Sequence, residues 1–253
     1  MRDFNPEGMI YGRPAQAVNE QSLTQKYPIG TIYEAWGKRW RYCKAVETIT
    51  PGKRGCPNMN VATWTAGQFA MGSDSTTITG TIGSGEAIIF TGADYDLAHA
   101  IDLFQGGQLT TFPAAGIAIH EYRIVGNDLS YTSDTYMKVY IDPPLAATEV
   151  STPCDIISSP YARVGAPASV GTGRSVVVVP EILVTNTYYF WGQTRGPCWV
   201  TPSAGWTTAS VRECEFHTDG TIKAAAGVAL QRAGYLLQAN AADDDSHIML
   251  MLE

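Results

Sequence analysis

The chain has 253 residues, of which 45% are hydrophobic, 10% aromatic and only 16% charged, with 25 Gly and 14 Pro. That much apolar material excludes a disordered chain, and the low charge with abundant Gly and Pro favours a turn-rich β protein over a helical bundle. The formal net charge is −7, but residues 1–60 hold nine Lys or Arg against five Asp or Glu, while the remainder holds eight against nineteen. A direct nucleic-acid partner is not expected from that balance, and the N-terminal quarter is expected to face something acidic.

Residues 1–26 carry scattered apolar side chains (Phe4, Met9, Ile10, Tyr11) among Pro, Asn, Gln and Gly, with no sustained period of 2 or 3.6. The segment reads as an extended arm that is either disordered or ordered by lying across a neighbouring molecule. From Tyr27 onward the chain reads as one β-rich body to residue 253, with room for a subsidiary β lobe over about 55–150. Trp40–Val46 is a strand. Thr76–Ile82 and Glu86–Phe90 form a hairpin across Gly83-Ser84-Gly85. Asp94–Phe104 is the one short helix candidate, with Leu97, Ile101 and Phe104 on one face.

Ile117–Val125 alternates as a strand, with Glu121 and Arg123 on one side and Tyr122 and Ile124 on the other, and Thr135–Ile141 follows as its neighbour. Residues 146–174, rich in Ala, Ser, Pro and Gly, form the longest irregular stretch. Ser175–Val179 is a strand buried on both faces. Tyr188–Val200 is the densest aromatic segment; in a strand Tyr188 and Phe190 share one face, Tyr189 and Trp191 the other. Val211–Phe216, Gly227–Leu230, Tyr235–Gln238 and Ile248–Leu252 complete an all-β set, a β-barrel or sandwich body with an extended N-terminal arm and at most one short helix.

Chemistry-bearing residues do not gather into a motif. His99, His120, His217 and His247 lack the spacing that places two imidazoles on one metal, so no metal or other cofactor is expected. Cys43, Cys56, Cys154, Cys198 and Cys214 are odd in number and contain no C-x-x-C pair, as for buried thiols in a protein made in a reducing cytoplasm. There is no G-x-S-x-G elbow, and Gly171-Thr-Gly-Arg174 lacks the ending of a phosphate loop. Asp243–Asp245 lacks the alternating ligands of a calcium loop. A hydrolase would have to draw on Asp94, Asp96, Glu121, Glu213 and Glu215. The start, Met1-Arg-Asp-Phe-Asn-Pro-Glu, has no apolar run of the kind a signal peptide needs, and Gly55–Ser73 is too polar to cross a bilayer, so no membrane association is expected.

Two stretches carry a resemblance. Lys26-Tyr-Pro-Ile-Gly-Thr31 with Gly37-Lys-Arg-Trp-Arg-Tyr-Cys-Lys-Ala45, and Tyr188-Tyr-Phe-Trp-Gly-Gln-Thr-Arg-Gly-Pro-Cys198 followed by Gly227–Leu230, are similar to a recurrent pattern in tailed-bacteriophage and prophage structural proteins. The chain departs from it at Trp40 and Cys43, where Phe and Ala are expected, and in its longer arm. The resemblance implies a capsid decoration or cement protein. Such a protein is non-enzymatic and β-rich, often trimeric, and is bound to the major capsid protein on the outer surface of the virion, where it reinforces joints between capsomers. Phe4, Met9, Ile10 and Tyr11 are then expected as capsid anchors, with Arg39 and Arg41 as their charged partners. Tyr188, Phe190, Trp191 and Arg195 are expected in the core or at a subunit contact. The competing expectation is a receptor-binding module in which the aromatic turn, or the 146–174 loop, meets host glycans.

Overall fold

The computed structural model describes residues 8–10, 12–50, 52–59, 70–71, 76–91, 100–113, 118–131, 134, 136–167, 174–203, 212–225, 230–237 and 246–253. These residues form strands, turns and irregular segments, and no α-helix occurs among them. The chain divides into two units, one made of Met1–Met59 with Pro160–Glu253, the other of Asn60–Ser159.

The first unit opens with β1 (Met9–Ile10), β2 (Gln21–Ser22), β3 (Ile32–Ala35), β4 (Lys38–Lys44) and β5 (Cys56–Pro57). The second holds β6 (Ala70–Met71), β7 (Thr76–Gly80), β8 (Glu86–Thr91), β9 (Gln108–Thr111), β10 (His120–Asn127), β11 (Tyr136–Asp142) and β12 (Glu149–Ile157). The first unit then resumes with β13 (Val176–Pro180), β14 (Tyr189–Trp199), β15 (Glu213–Phe216), β16 (Ile222–Ala224), β17 (Arg232–Leu236) and β18 (His247–Met251).

The second unit is a closed six-stranded barrel. Its order is β12-β7-β8-β11-β10-β9, and β9 pairs back to β12, with β6 added outside β12. Every one of these pairings is antiparallel. The period of two sorts side chains cleanly: Ile78, Ala87, Ile89, Leu109, Tyr122, Ile124, Met137, Val139, Cys154 and Ile156 fill the interior, while Glu121 and Arg123 face solvent. Closure removes the open edges that an antiparallel sheet would otherwise present.

Two expectations fail here for identifiable reasons. The irregular stretch over 146–174 contains β12, the strand that closes the barrel; a bulge between Glu149 and Thr152, with Ser151 at φ 50°, breaks the alternation that would have revealed it. Of the helix expected at 94–104, residues 94–99 lie outside the described residues. The remainder is a string of turns, because Asp102 sits at φ 58° and the Asn127 side chain accepts from the Phe104 amide. Phe104 is therefore buried while Ile101 is exposed, so they do not share a face.

The first unit is built on an eleven-stranded sheet of order β1-β3-β4-β14-β18-β17-β15-β16, with β2 and β13 also on β14 and β5 on β13. Its spine is β14, whose eleven residues pair with β4 on one side and β18 on the other. The first half of β14 is covered on both faces. Phe190 packs with Cys43, Val178 and Val184, and Trp191 with Tyr33, Trp40 and Tyr42. Gly192 makes the first of these possible, since a Cβ there would lie 2.5 Å from Val178 Cβ. The second half buries one face only, through Cys198, Val200, Ile248, Leu250 and Phe216.

The described part of the N-terminal segment does not project from the body. It lies across its own sheet as β1, parallel to β3, and β2, antiparallel to β14. The segment is mostly exposed but is pinned there by one buried polar side chain, Gln16, which finds a full set of partners.

Candidate interaction surface

Gln16 is 3% exposed. Its amide nitrogen donates to the carbonyls of Glu20 and Tyr189, both at 3.0 Å. Its amide oxygen accepts from the Tyr42 hydroxyl at 2.8 Å, and its backbone carbonyl accepts from Trp191 Nε1 at 2.8 Å. Around this latch the rings of Tyr27, Tyr33, Tyr42, Tyr189 and Trp191 meet with centroids 4.9–6.0 Å apart. Burial raises the Tyr42 hydroxyl to about 12, against the lowering pull of the Lys26 amide that it accepts from. The strap over 12–26 thus seals an aromatic sheet face, which explains how a polar, aperiodic segment is ordered on its own chain.

Past the strap, the β3–β4 connection is a two-residue hairpin, with Trp36 at φ 53° and Gly37 at φ 72°. Positive φ at both central residues is the primed turn that matches strand twist, yet Trp in that conformation is strained. Trp36 is also 81% exposed, its ring edge-on to the buried Trp40. Gly196, at φ 97°, lies so close beneath this tip that a Cβ would collide with the Gly37 carbonyl.

Beyond the covered half of β14, the face that carries Arg39 and Arg41 opens to solvent along the second half of β14, β18 and β17. Arg39 and Arg41 themselves stay half-buried. A bulge between Gln193 and Arg195 re-aims β14 so that Arg195 stands opposite Arg39 on one side and Met251 on the other. Pro197 then stands opposite Met249, and Met249 opposite Tyr235. Cross-strand partners share a face, and the alternating burial of these strands agrees. At the charged end, Glu253 accepts from Arg41 Nε at 2.7 Å, from Arg39 at 3.3 Å and from the Tyr161 hydroxyl, while Glu34 accepts from Arg39 Nε at 2.5 Å. Burial would raise the Glu253 carboxyl, but these donors hold it below its usual range. The apolar end exposes Met251, Tyr235 and, more partially, Pro197 and Met249.

Of the residues expected at contacts, Arg39, Arg41 and Arg195 thus come together on this face, while Phe190 and Trp191 are core and Tyr188 is half-buried. Met9 and Ile10 are half-buried in β1, away from it in the sheet order; Phe4 and Tyr11 lie outside the described residues. Met249, Met251 and Tyr235 were not singled out in the sequence, although the alternation in His247–Met251 was the available signal.

The other candidate groups are dispersed. Glu213 and Glu215 alternate with the core residues Cys214 and Phe216, and each is met by a cation: Glu215, buried, by its cross-strand partner Lys223 at 3.4 Å, and Glu213, exposed, by Arg232. His217 pairs with Asp219 within one turn, where Asp219 also accepts from the Thr221 amide and hydroxyl. Among the described residues no group of three His, Cys, Asp or Glu is placed to hold a metal ion; His99, Asp94, Asp96 and Asp243–Asp245 lie outside them. The five cysteines are buried and free, and burial pushes Cys154, Cys198 and Cys214 up to about 12. No family model, no curated protein and no solved structure matches the chain.

Proposed function

We propose that the protein is a non-enzymatic structural protein of a tailed-phage particle, bound to the major capsid protein on the outer surface of the shell, where it reinforces contacts between capsomers. The observation that carries this reading is the open sheet face on which Arg39, Arg41 and Arg195 stand beside Met249, Met251, Pro197 and Tyr235. Arg, Met and aromatic residues are the types enriched where one protein docks on another, and three adjacent strands present them side by side. The motif resemblance in Lys26–Ala45 and Tyr188–Cys198 supports a phage particle as the setting, and both motifs run through the strands that build this face.

Cryo-electron microscopy of particles from the lysate in which the chain is made tests the reading. Density for the chain as regular protrusions on the icosahedral shell is the expected result. Density at a tail tip, or particles without the chain, would overturn it. The exposed Trp36 ring favours one second reading, stacking on a host glycan; a glycan array that binds the wild-type chain and not Trp36→Ala would mark that alternative.

A further inference from the structure

Charge segregates by structural unit. The barrel unit, Asn60–Ser159, holds eleven Asp or Glu and two Lys or Arg, a net charge of −9, and the rest of the chain is left at +2. The open face of the large sheet carries three arginines against Glu34 and Glu253. The barrel wall formed by β9, β10 and β12 is its counterpart in chemistry. Glu121 and Asp155 flank Thr110 in one row, Arg123 and Ile157 flank Gln108 in the next, and Asp142 stands opposite Arg123 on β11. Glu121 and Asp142 are exposed, and so is Ile157 at 46%. One surface sets Arg195 beside an apolar strip, its Arg39 and Arg41 being paired with Glu34 and Glu253; the other sets three carboxylates around Arg123 with an apolar side chain among them.

We propose that the open sheet face of one copy takes the acidic barrel wall of a second copy. Two barrels of −9 repel each other, which disfavours a symmetric barrel-to-barrel contact, whereas a contact between unlike surfaces gains from both fields. Such a contact is heterologous: repeated, it closes into a ring or runs on as a strip. Arg195 supplies the central charge on the sheet side, being exposed and without an ion pair among the described residues. The inference uses the same sheet face as the proposed function, but it is measured without any capsid, so the two fail separately.

Sedimentation equilibrium of the full chain over a concentration series is the test. At low ionic strength the average mass rises above the 27.3 kDa monomer. It returns toward the monomer as the screening length falls from about 10 Å at 0.1 M salt to about 3 Å at 1 M. Arg195→Glu and Glu121→Lys each lower the association constant about tenfold or more, and mixing the two variants restores association between them. Circular dichroism checks that both variants are folded, and Asp142→Lys replaces Glu121→Lys if that one is not. A chain that stays monomeric at every concentration in low salt overturns the proposal. So does association that neither reversal changes, or a mixture that fails to recover.

Discussion

Removing the Gln16 side chain tests how the N-terminal strap is held. Gln16→Ala deletes three hydrogen bonds, to the Glu20 and Tyr189 carbonyls and from the Tyr42 hydroxyl, while the Trp191 bond to the backbone carbonyl remains. At about 1 kcal/mol net per bond the loss is about 3 kcal/mol. The buried Tyr42 hydroxyl, left with an acceptor role toward Lys26 only, adds a further penalty on the order of 1 kcal/mol. Because the strap is a peripheral segment, this cost falls on its own docking equilibrium before it reaches the global one. Together, about 4 kcal/mol corresponds to nearly a thousandfold more of the undocked form. Hydrogen exchange of the Gln21 and Ser22 amides, and tryptic cleavage after Lys26, should both accelerate by that factor. The far strands of the sheet should exchange as before. Acceleration of less than about threefold would refute the claim that Gln16 is the latch.

Three further outcomes follow from the same geometry. Trp36→Asn, which keeps a residue that tolerates left-handed backbone, should raise stability by about 1 kcal/mol in urea unfolding by relieving strain at φ 53°; unchanged or lower stability would count against strain at that turn. Glu253 has a depressed carboxyl in the folded state, so its contribution is present above the ordinary value of 4.5 and is lost as the pH falls through the lower folded value. Gln at that position should therefore reduce stability at neutral pH and flatten its decline below about 4.5, as read by thermal unfolding across pH. The five buried thiols should react with an aromatic disulfide reagent at neutral pH only as fast as the fold opens, and all five together on adding denaturant; fast labelling of one thiol in native buffer would contradict its burial.

The all-β architecture was legible because alternation survives wherever one face of a strand is buried and the other is wet. Glu121, Tyr122, Arg123 and Ile124 declare their sides in the sequence and keep them in the barrel. The Thr76 to Phe90 hairpin was legible for a second reason, a Gly-Ser-Gly turn between two β-branched runs. What escaped notice was set by bulges and by distant partners. Ser151 shifts β12 by one residue, so the strand that closes the barrel reads as loop. Gln16 looks like one more polar residue in a featureless arm, and only Tyr42, Tyr189 and Trp191, at least 26 positions away, make it a latch.

The candidate surface was legible only in part, for the same reason. Arg39, Arg41 and Arg195 could be named from the chain, but their meeting on one face depends on the bulge after Gln193, which reverses the side toward which Arg195 points. Met249 and Met251 gain their meaning from Pro197 and Arg195, the residues they stand opposite. A long strand whose two halves are buried differently cannot be read with one rule along its length.

The point at which the chain leaves the large sheet and comes back is itself stitched together: Asn58 bridges Val164, and the Met59 amide donates to the Arg163 carbonyl at 2.8 Å. A host whose exit and re-entry strands are already bonded makes few demands on what hangs between them. The hundred residues from Asn60 to Ser159 therefore have the standing of a cassette. Replacing them with a tight connection is expected to leave the strand order of the large sheet unchanged.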